Sequence, residues 1–126
     1  MKTMIRTALL ASLFFLPSSA LRAADTAQAE KIFNSLLAAQ TAKDYDAFIA
    51  DADDNLKAAL TKTQFDASSN LMNKRTSGGY DTTYLGELNQ HGYQVFLYRL
   101  HFKDGGDDIL GTMSLKDDKV GGIYFK

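Results

Sequence analysis

Apolar side chains recur every three to four residues through the first half of the chain and every second residue through the last third. The first period predicts helices and the second predicts strands. Ile32, Phe33, Leu36 and Leu37, followed by Gln40, form one stripe of a helix over Asp25–Gln40, with Asp25 and Thr26 as N-cap candidates. Asp44 is placed to cap a second, shorter helix carrying Tyr45, Phe48, Ile49 and Ala52 on one face. Asp51, Asp53, Asp54 and Asn55 make an acidic break, and Leu56 and Leu60 follow on a turn or short helix. Thr61-Lys62-Thr63-Gln64 matches a capping box, in which the threonine hydroxyl and the glutamine amide each satisfy a free backbone N–H. Phe65, Ser68 or Ser69, and Met72 continue the inner face of that third main helix, which Gly78-Gly79 stops.

From Tyr80 onward the alternation predicts four strands, 81–88, 93–103, 108–115 and 120–125, joined by turns at 89–92, 104–107 and 116–119. Short turns between consecutive strands make an antiparallel meander. The fold class is therefore α+β, with N-terminal helices packed on a four-stranded antiparallel sheet. In the longest strand Gln94, Phe96, Tyr98, Leu100 and Phe102 share one face, and Tyr93, Val95, Leu97, Arg99, His101 and Lys103 the other. A sheet covered on one side alternates cleanly between apolar and polar. Here Tyr93, Val95 and Leu97 make the second face apolar too. Two readings follow: a second copy of the sheet covers it, giving a homodimer, or it is a solvated face rich in β-formers.

The N-terminus follows a different pattern. Lys2 and Arg6 precede a nine-residue apolar run, Ala8–Leu16, which ends at Pro17 and the small residues Ser18, Ser19 and Ala20. That is the layout of a secretory signal peptide, with cleavage expected between Ala20 and Ala24. The run is about half the ~20 residues a membrane span needs, so no stable anchor is expected. The remaining 25–126 form a single domain, and the expected location is the periplasm of a Gram-negative bacterium or the medium. That portion holds 11 basic and 15 acidic side chains, a net charge of −4. This balance argues against nucleic acid and anionic lipid as partners. The chain has no Cys, so no disulfide, thiolate metal site or thiol nucleophile is available.

The order of elements, the step Ala42-Lys43-Asp44-Tyr45-Asp46-Ala47-Phe48 after Ala29-Glu30-Lys31-Ile32-Phe33, and the ending Tyr98, Phe102, Asp104-Gly105 and Val120-Gly121-Gly122-Ile123-Tyr124-Phe125 carry a likeness. Together they resemble the nuclear-transport-factor-2-like (cystatin-like) superfamily, in particular small exported bacterial members of unknown function. The resemblance spans nearly all of 25–126. It implies a cone-shaped fold with the sheet curved around the helices, and a pocket between the two. It selects no activity, because members include isomerases, dehydratases, epoxide hydrolases, transport adaptors and domains attached to peptidoglycan enzymes.

The residues expected to line such a pocket are Tyr45, Phe48, Phe65, Met72, Tyr84, Phe96, Tyr98, Leu100 and Tyr124. They suit a small apolar ligand with a few polar contacts, and equally a filled core. The acidic side chains cluster in caps and turns, at Asp44, Asp51, Asp53, Asp54, Asp104, Asp107, Asp108, Asp117 and Asp118. Asp81 and Glu87 are expected on one strand face with Thr83 and Leu85, away from Tyr84. His91 and His101 are too far apart to act together. Asp51–Leu56 begins like a calcium loop but has Leu56 at the sixth place and Lys62 at the twelfth. The glycine pairs lack the Lys and Ser or Thr of a phosphate loop, and Gly121-Gly122 reads as a bulge or bend. No catalytic residue, metal site or cofactor is called from these patterns. The leading expectation is an exported, non-enzymatic binding or interaction domain. The alternatives are an isomerase- or dehydratase-type enzyme using a buried Tyr and a carboxylate, and an accessory contact module for cell-envelope enzymes.

Overall fold

The computed structural model describes residues 18–126, with side chains from residue 25 onward. The expected signal peptide falls on residues 1–17, which lie outside the described residues, and on 18–24, of which only the backbone is described. Four helices, α1 (Ser18–Thr41), α2 (Tyr45–Ile49), α3 (Asp54–Ala59) and α4 (Lys62–Thr76), precede four strands. The strands are β1 (Tyr80–Gln90), β2 (Tyr93–Phe102), β3 (Ile109–Lys116) and β4 (Lys119–Phe125). They pair antiparallel in the order β1-β2-β3-β4. This is the α+β arrangement expected: helices first, then a meander whose inner face they cover.

The local signals act as the residues suggest. Asp44 caps α2 by accepting from the Ala47 N–H, and Asp53 caps α3 by accepting from the Leu56 N–H. Thr61 and Gln64 complete both halves of the capping box at the start of α4. The α1 backbone runs helical from Ser18, past the expected cap at Asp25, because the alanine-rich stretch before it favours helix and contains no breaker. Two hairpins turn on adjacent residues with positive φ, His91-Gly92 and Asp117-Asp118, shorter turns than the alternation suggested.

The core lies between α1, α2, α4 and the inner sheet face. Ile32, Phe33, Leu36, Leu37, Phe48, Phe65 and Met72 meet Phe96, Tyr98, Leu100, Phe102 and Met113 in one buried cluster. Phe33 stacks on Tyr98 with ring centroids 4.2 Å apart and planes 14° from parallel. Its ring tip rests on Gly111, where an added Cβ would come within 2.7 Å. Polar side chains stitch α1 to α4. The Thr41 hydroxyl donates to the Thr76 hydroxyl at 2.8 Å, the Asn73 amide to the Thr41 carbonyl, and the Gln40 amide to Ser68 Oγ at 3.0 Å.

Two bulges bend the sheet, and each reverses which face the following residues occupy. In β1 the register steps between Tyr84 and Gly86, so Glu87 stands opposite Phe96 on the inner face. That corrects the expectation of Glu87 beside Asp81 and Thr83. In β4 the step falls at Gly121-Gly122, opposite Ser114/Leu115. Val120 and Ile123 both face inward, and Tyr124 turns out. Gly121 also seats the Tyr93 ring, whose Cε1 would lie 2.4 Å from an added Cβ. The Tyr93 hydroxyl donates to Asp53 at 2.9 Å. The acidic connector between α2 and α3 lies along the β4 edge. Val120 donates to the Asp51 carbonyl and accepts from the Asp53 N–H, pairing Ala52 with Val120. The outer edge of the sheet at β4 is thereby paired at Val120, which shortens the edge left open to other chains.

At the other end, Arg75 clamps the β2–β3 hairpin. Its guanidinium donates to Asp104 and to the Asp107 carbonyl and lies 3.9 Å over the Phe102 ring. That hydrogen bond, with a second from the Gly106 N–H, holds the Asp104 carboxyl below its usual range.

Candidate functional site

The space between helices and sheet is mostly filled. Of the nine residues expected to line it, Tyr98 and Leu100 are fully buried, and Met72 is buried. Tyr45 packs on Phe65 and donates to the Leu60 carbonyl at 2.8 Å. Phe48 and Phe65 do border a cavity, a cleft of about 80 Å³ between the helices and β4 that Gln40, Leu56, Leu60, Ser68, Ile123 and Phe125 complete. Phe96 lies at the far end of the sheet, under a more open depression of about 220 Å³ with Asp25, Gln94, Asp117 and Asp118 at its rim. Tyr84 sits on edge strand β1, more than a third exposed, with its ring 5.9 Å from that of Tyr98. Tyr124 belongs to no interior: it is 66% exposed on the outer sheet face, because the glycine bulge reverses the alternation before it.

The buried tyrosine and carboxylate of the enzyme reading come closest to existing at Tyr98. Its hydroxyl is buried without a partner. Burial, then the nearby Glu30, Tyr84 and Glu87, pushes its phenol well above the usual range. The phenol therefore stays protonated. Neither the 80 Å³ cavity nor the 220 Å³ depression is lined by it. Glu87 itself accepts from the Gln94 amide at 2.8 Å, a contact within the sheet. His101 pairs with Asp108 at 2.8 Å on the exposed face, far from His91 in its turn. Among the described residues no three His, Cys, Asp or Glu side chains converge as metal ligands.

An unpartnered buried hydroxyl is costly, and this yields a test of a purely structural role. Tyr98→Phe is expected to leave stability unchanged or raise it by about 1 kcal/mol. It should also weaken alkaline unfolding. An unfolded tyrosine loses its proton near pH 10, whereas the buried phenol keeps it to higher pH. Above about pH 10 unfolding therefore releases a proton, and stability falls as pH rises. Urea unfolding of both proteins at pH 8 and pH 10.5 checks this. A loss of several kcal/mol at pH 8 contradicts it.

The outer sheet face is the larger feature. Leu88 and Val95 stand opposite each other across β1 and β2, and Leu97, Thr112 and Tyr124 form a row across β2, β3 and β4. Leu85 (54%), Leu88 (48%), Leu110 (39%) and Tyr124 are exposed. A shallow groove of about 290 Å³ runs between Leu85 and Leu110, with Arg99 in it and Asp108 and Lys126 beside it. Arg99 meets only the Thr83 hydroxyl, at 3.5 Å, and forms no ion pair among the described residues. The sequence pointed to this face through Val95 and Leu97. It did not show Leu85, Leu110 and Tyr124 joining them, since two of these follow or flank bulges.

Among the described residues no helix is long and apolar enough to cross a membrane. No family model matches the chain, and no curated protein matches it. Two solved structures are similar to it in outline. One is an uncharacterised cystatin-fold protein from Novosphingobium aromaticivorans, with a TM-score of 0.40, 13% identity, and coverage of 76% of this chain and 95% of that one. The other is an NTF2-like protein of unknown function from Cytophaga hutchinsonii, with a TM-score of 0.40, 11% identity, and coverage of 77% and 88%.

Proposed function

We propose that this protein is an exported interaction domain that works through the outer face of its sheet, and that the first occupant of that face is a second copy of the same chain. The observation that carries the reading is the apolar outer face, where Leu85, Leu88, Leu110 and Tyr124 are exposed, Leu97 is half-buried and Val95 is buried among them, on the side of the sheet that no helix covers among the described residues. Leaving such a patch in water is unfavourable, and monomers seldom carry a large one without a use for it. Its chemistry suits self-association. A two-fold axis needs each surface to complement itself, and this face offers both signs of charge around an apolar centre, in Arg99 and Lys126 against Asp81 and Asp108.

The interior supports a binding role less and a catalytic role least. The 80 Å³ cleft is well under the roughly 300 Å³ of an ordinary ligand pocket, so the expectation of a ligand filling the cone contracts to a small site. Export remains part of the proposal and rests on the basic, apolar and small-residue segments of the N-terminus. Light scattering on the protein without its first 24 residues tests the association. A mass of two chains at about 10–100 μM supports the reading, whereas a mass of one chain throughout overturns it.

A further inference from the structure

We infer that the step Asp104-Gly105 is a site of spontaneous aspartate isomerisation, and that Arg75 holds it closed. This goes beyond the outer-face reading and does not depend on it. The step is the one Asp-Gly pair in the chain, which has no Asn-Gly pair. A glycine after an aspartate leaves its backbone nitrogen open to the neighbouring carboxyl, because no side chain shields it. Attack by the Gly105 nitrogen on Asp104 Cγ forms a C–N bond and closes a five-membered succinimide. The amide hydrogen and the carboxyl OH leave together as water. Water then adds back to the ring. Cleavage of the bond between that nitrogen and the Asp104 α-carbonyl leaves isoaspartate, with the main chain rerouted through Cβ and Cγ.

The turn resists losing either of its glycines. Gly105 has φ +76°, a conformation that side chains disfavour. A Cβ on Gly106 would stand 2.8 Å from Arg75 Nη2 and displace the guanidinium. The hairpin therefore keeps a reactive sequence in an exposed place. What restrains it is the hydrogen bonding of the carboxylate. Arg75 Nε donates to Asp104 Oδ2 at 3.0 Å, and Nη2 donates to Oδ1 at 3.3 Å. The Gly106 N–H also donates to Oδ1, at 2.8 Å. Both oxygens are engaged, and the planar fork fixes the plane of the carboxylate. The attacking nitrogen is engaged too, since the Gly105 N–H donates to the Phe102 carbonyl at 3.4 Å. The fork is itself anchored. Nη2 donates to the Asp107 carbonyl at 2.6 Å, and the guanidinium lies over the buried Phe102 ring. Ring closure needs a protonated carboxyl that is free to rotate onto the nitrogen. The same contacts keep this carboxyl ionised. Isomerisation would leave no carboxylate where Arg75 now meets one, so the first event removes the restraint.

Peptide mapping by mass spectrometry, after incubation at neutral pH and body temperature, measures succinimide and isoaspartate at Asp104. A synthetic peptide of residues 100–109 serves as the unrestrained reference. The peptide and Arg75→Ala are expected to isomerise at least about tenfold faster than the unaltered protein, in keeping with the loss of a charge-assisted pair of hydrogen bonds. Arg75→Lys keeps the charge without the fork and should fall between. Phe33→Leu loosens the core and leaves the clamp intact, so it should isomerise at the rate of the unaltered protein. If Arg75→Ala does not fold, as read by circular dichroism, Arg75→Lys and Phe33→Leu carry the comparison. The proposal is overturned by equal rates in the unaltered protein and the Arg75 variants, by an unaltered protein that isomerises as fast as the peptide, or by the same acceleration in Phe33→Leu.

Discussion

Phe33→Ala is expected to cost about 3–5 kcal/mol of stability. Phe33 is fully buried in the middle of α1, stacked on Tyr98 and tilted against Phe125. Its ring reaches the sheet because residue 111 is glycine. A Cβ there would stand 2.7 Å from Phe33 Cζ and 3.1 Å from Leu100 Cδ1. Gly111→Ala therefore costs about 1–3 kcal/mol through crowding in a packed interior. The two positions are coupled. In a Phe33→Leu background the added methyl meets a shorter side chain, and the combined loss should be smaller than the sum of the single losses. Urea unfolding of the four proteins measures the coupling. Strict additivity contradicts a direct contact.

The second large effect concerns association. Leu88→Lys combined with Leu110→Lys is expected to raise the dimer dissociation constant by about 100-fold or more and leave the folded monomer intact. Both leucines project from the sheet into solvent, 48% and 39% exposed, so their loss removes little from the core. In an interface each would be desolvated, and the two ammonium groups of one chain would face those of the other about the two-fold axis. Sedimentation velocity with far-UV circular dichroism separates the outcomes. An unchanged dissociation constant places the contact elsewhere, and a loss of helical signal means the substitutions act on the fold.

Much of the helical half was legible in the residues themselves. Asp44 and the Thr61/Gln64 pair are local devices, each acting within four residues, so the sequence carries them whole. The inward set Phe96, Tyr98, Leu100 and Phe102 was also readable, because β2 runs without interruption between two neighbours. The failures share one cause. Alternation places side chains only if no residue is inserted, and β1 and β4 each contain a bulge. Glu87 and Tyr124 follow those bulges and change faces. Gly121-Gly122 marked a bulge or bend, but the direction of the switch depends on the Tyr93 ring lying over Gly121, a contact about 28 positions away in sequence. The pairing of Ala52 with Val120 is equally non-local. The cleft at Gln40 was hidden for a related reason. The residue fits the helical stripe as a polar boundary position, and only the packed helices reveal that half its amide is unsatisfied.

Isotope-filtered NMR on a mixture of labelled and unlabelled chains tests the working surface most directly. Contacts from one copy to the other at the methyls of Leu88, Leu97 and Leu110 and at the Tyr124 ring are the result predicted here. Contacts between copies at Leu71 on α4 with none from the sheet, or no contacts between copies at millimolar concentration, would contradict it.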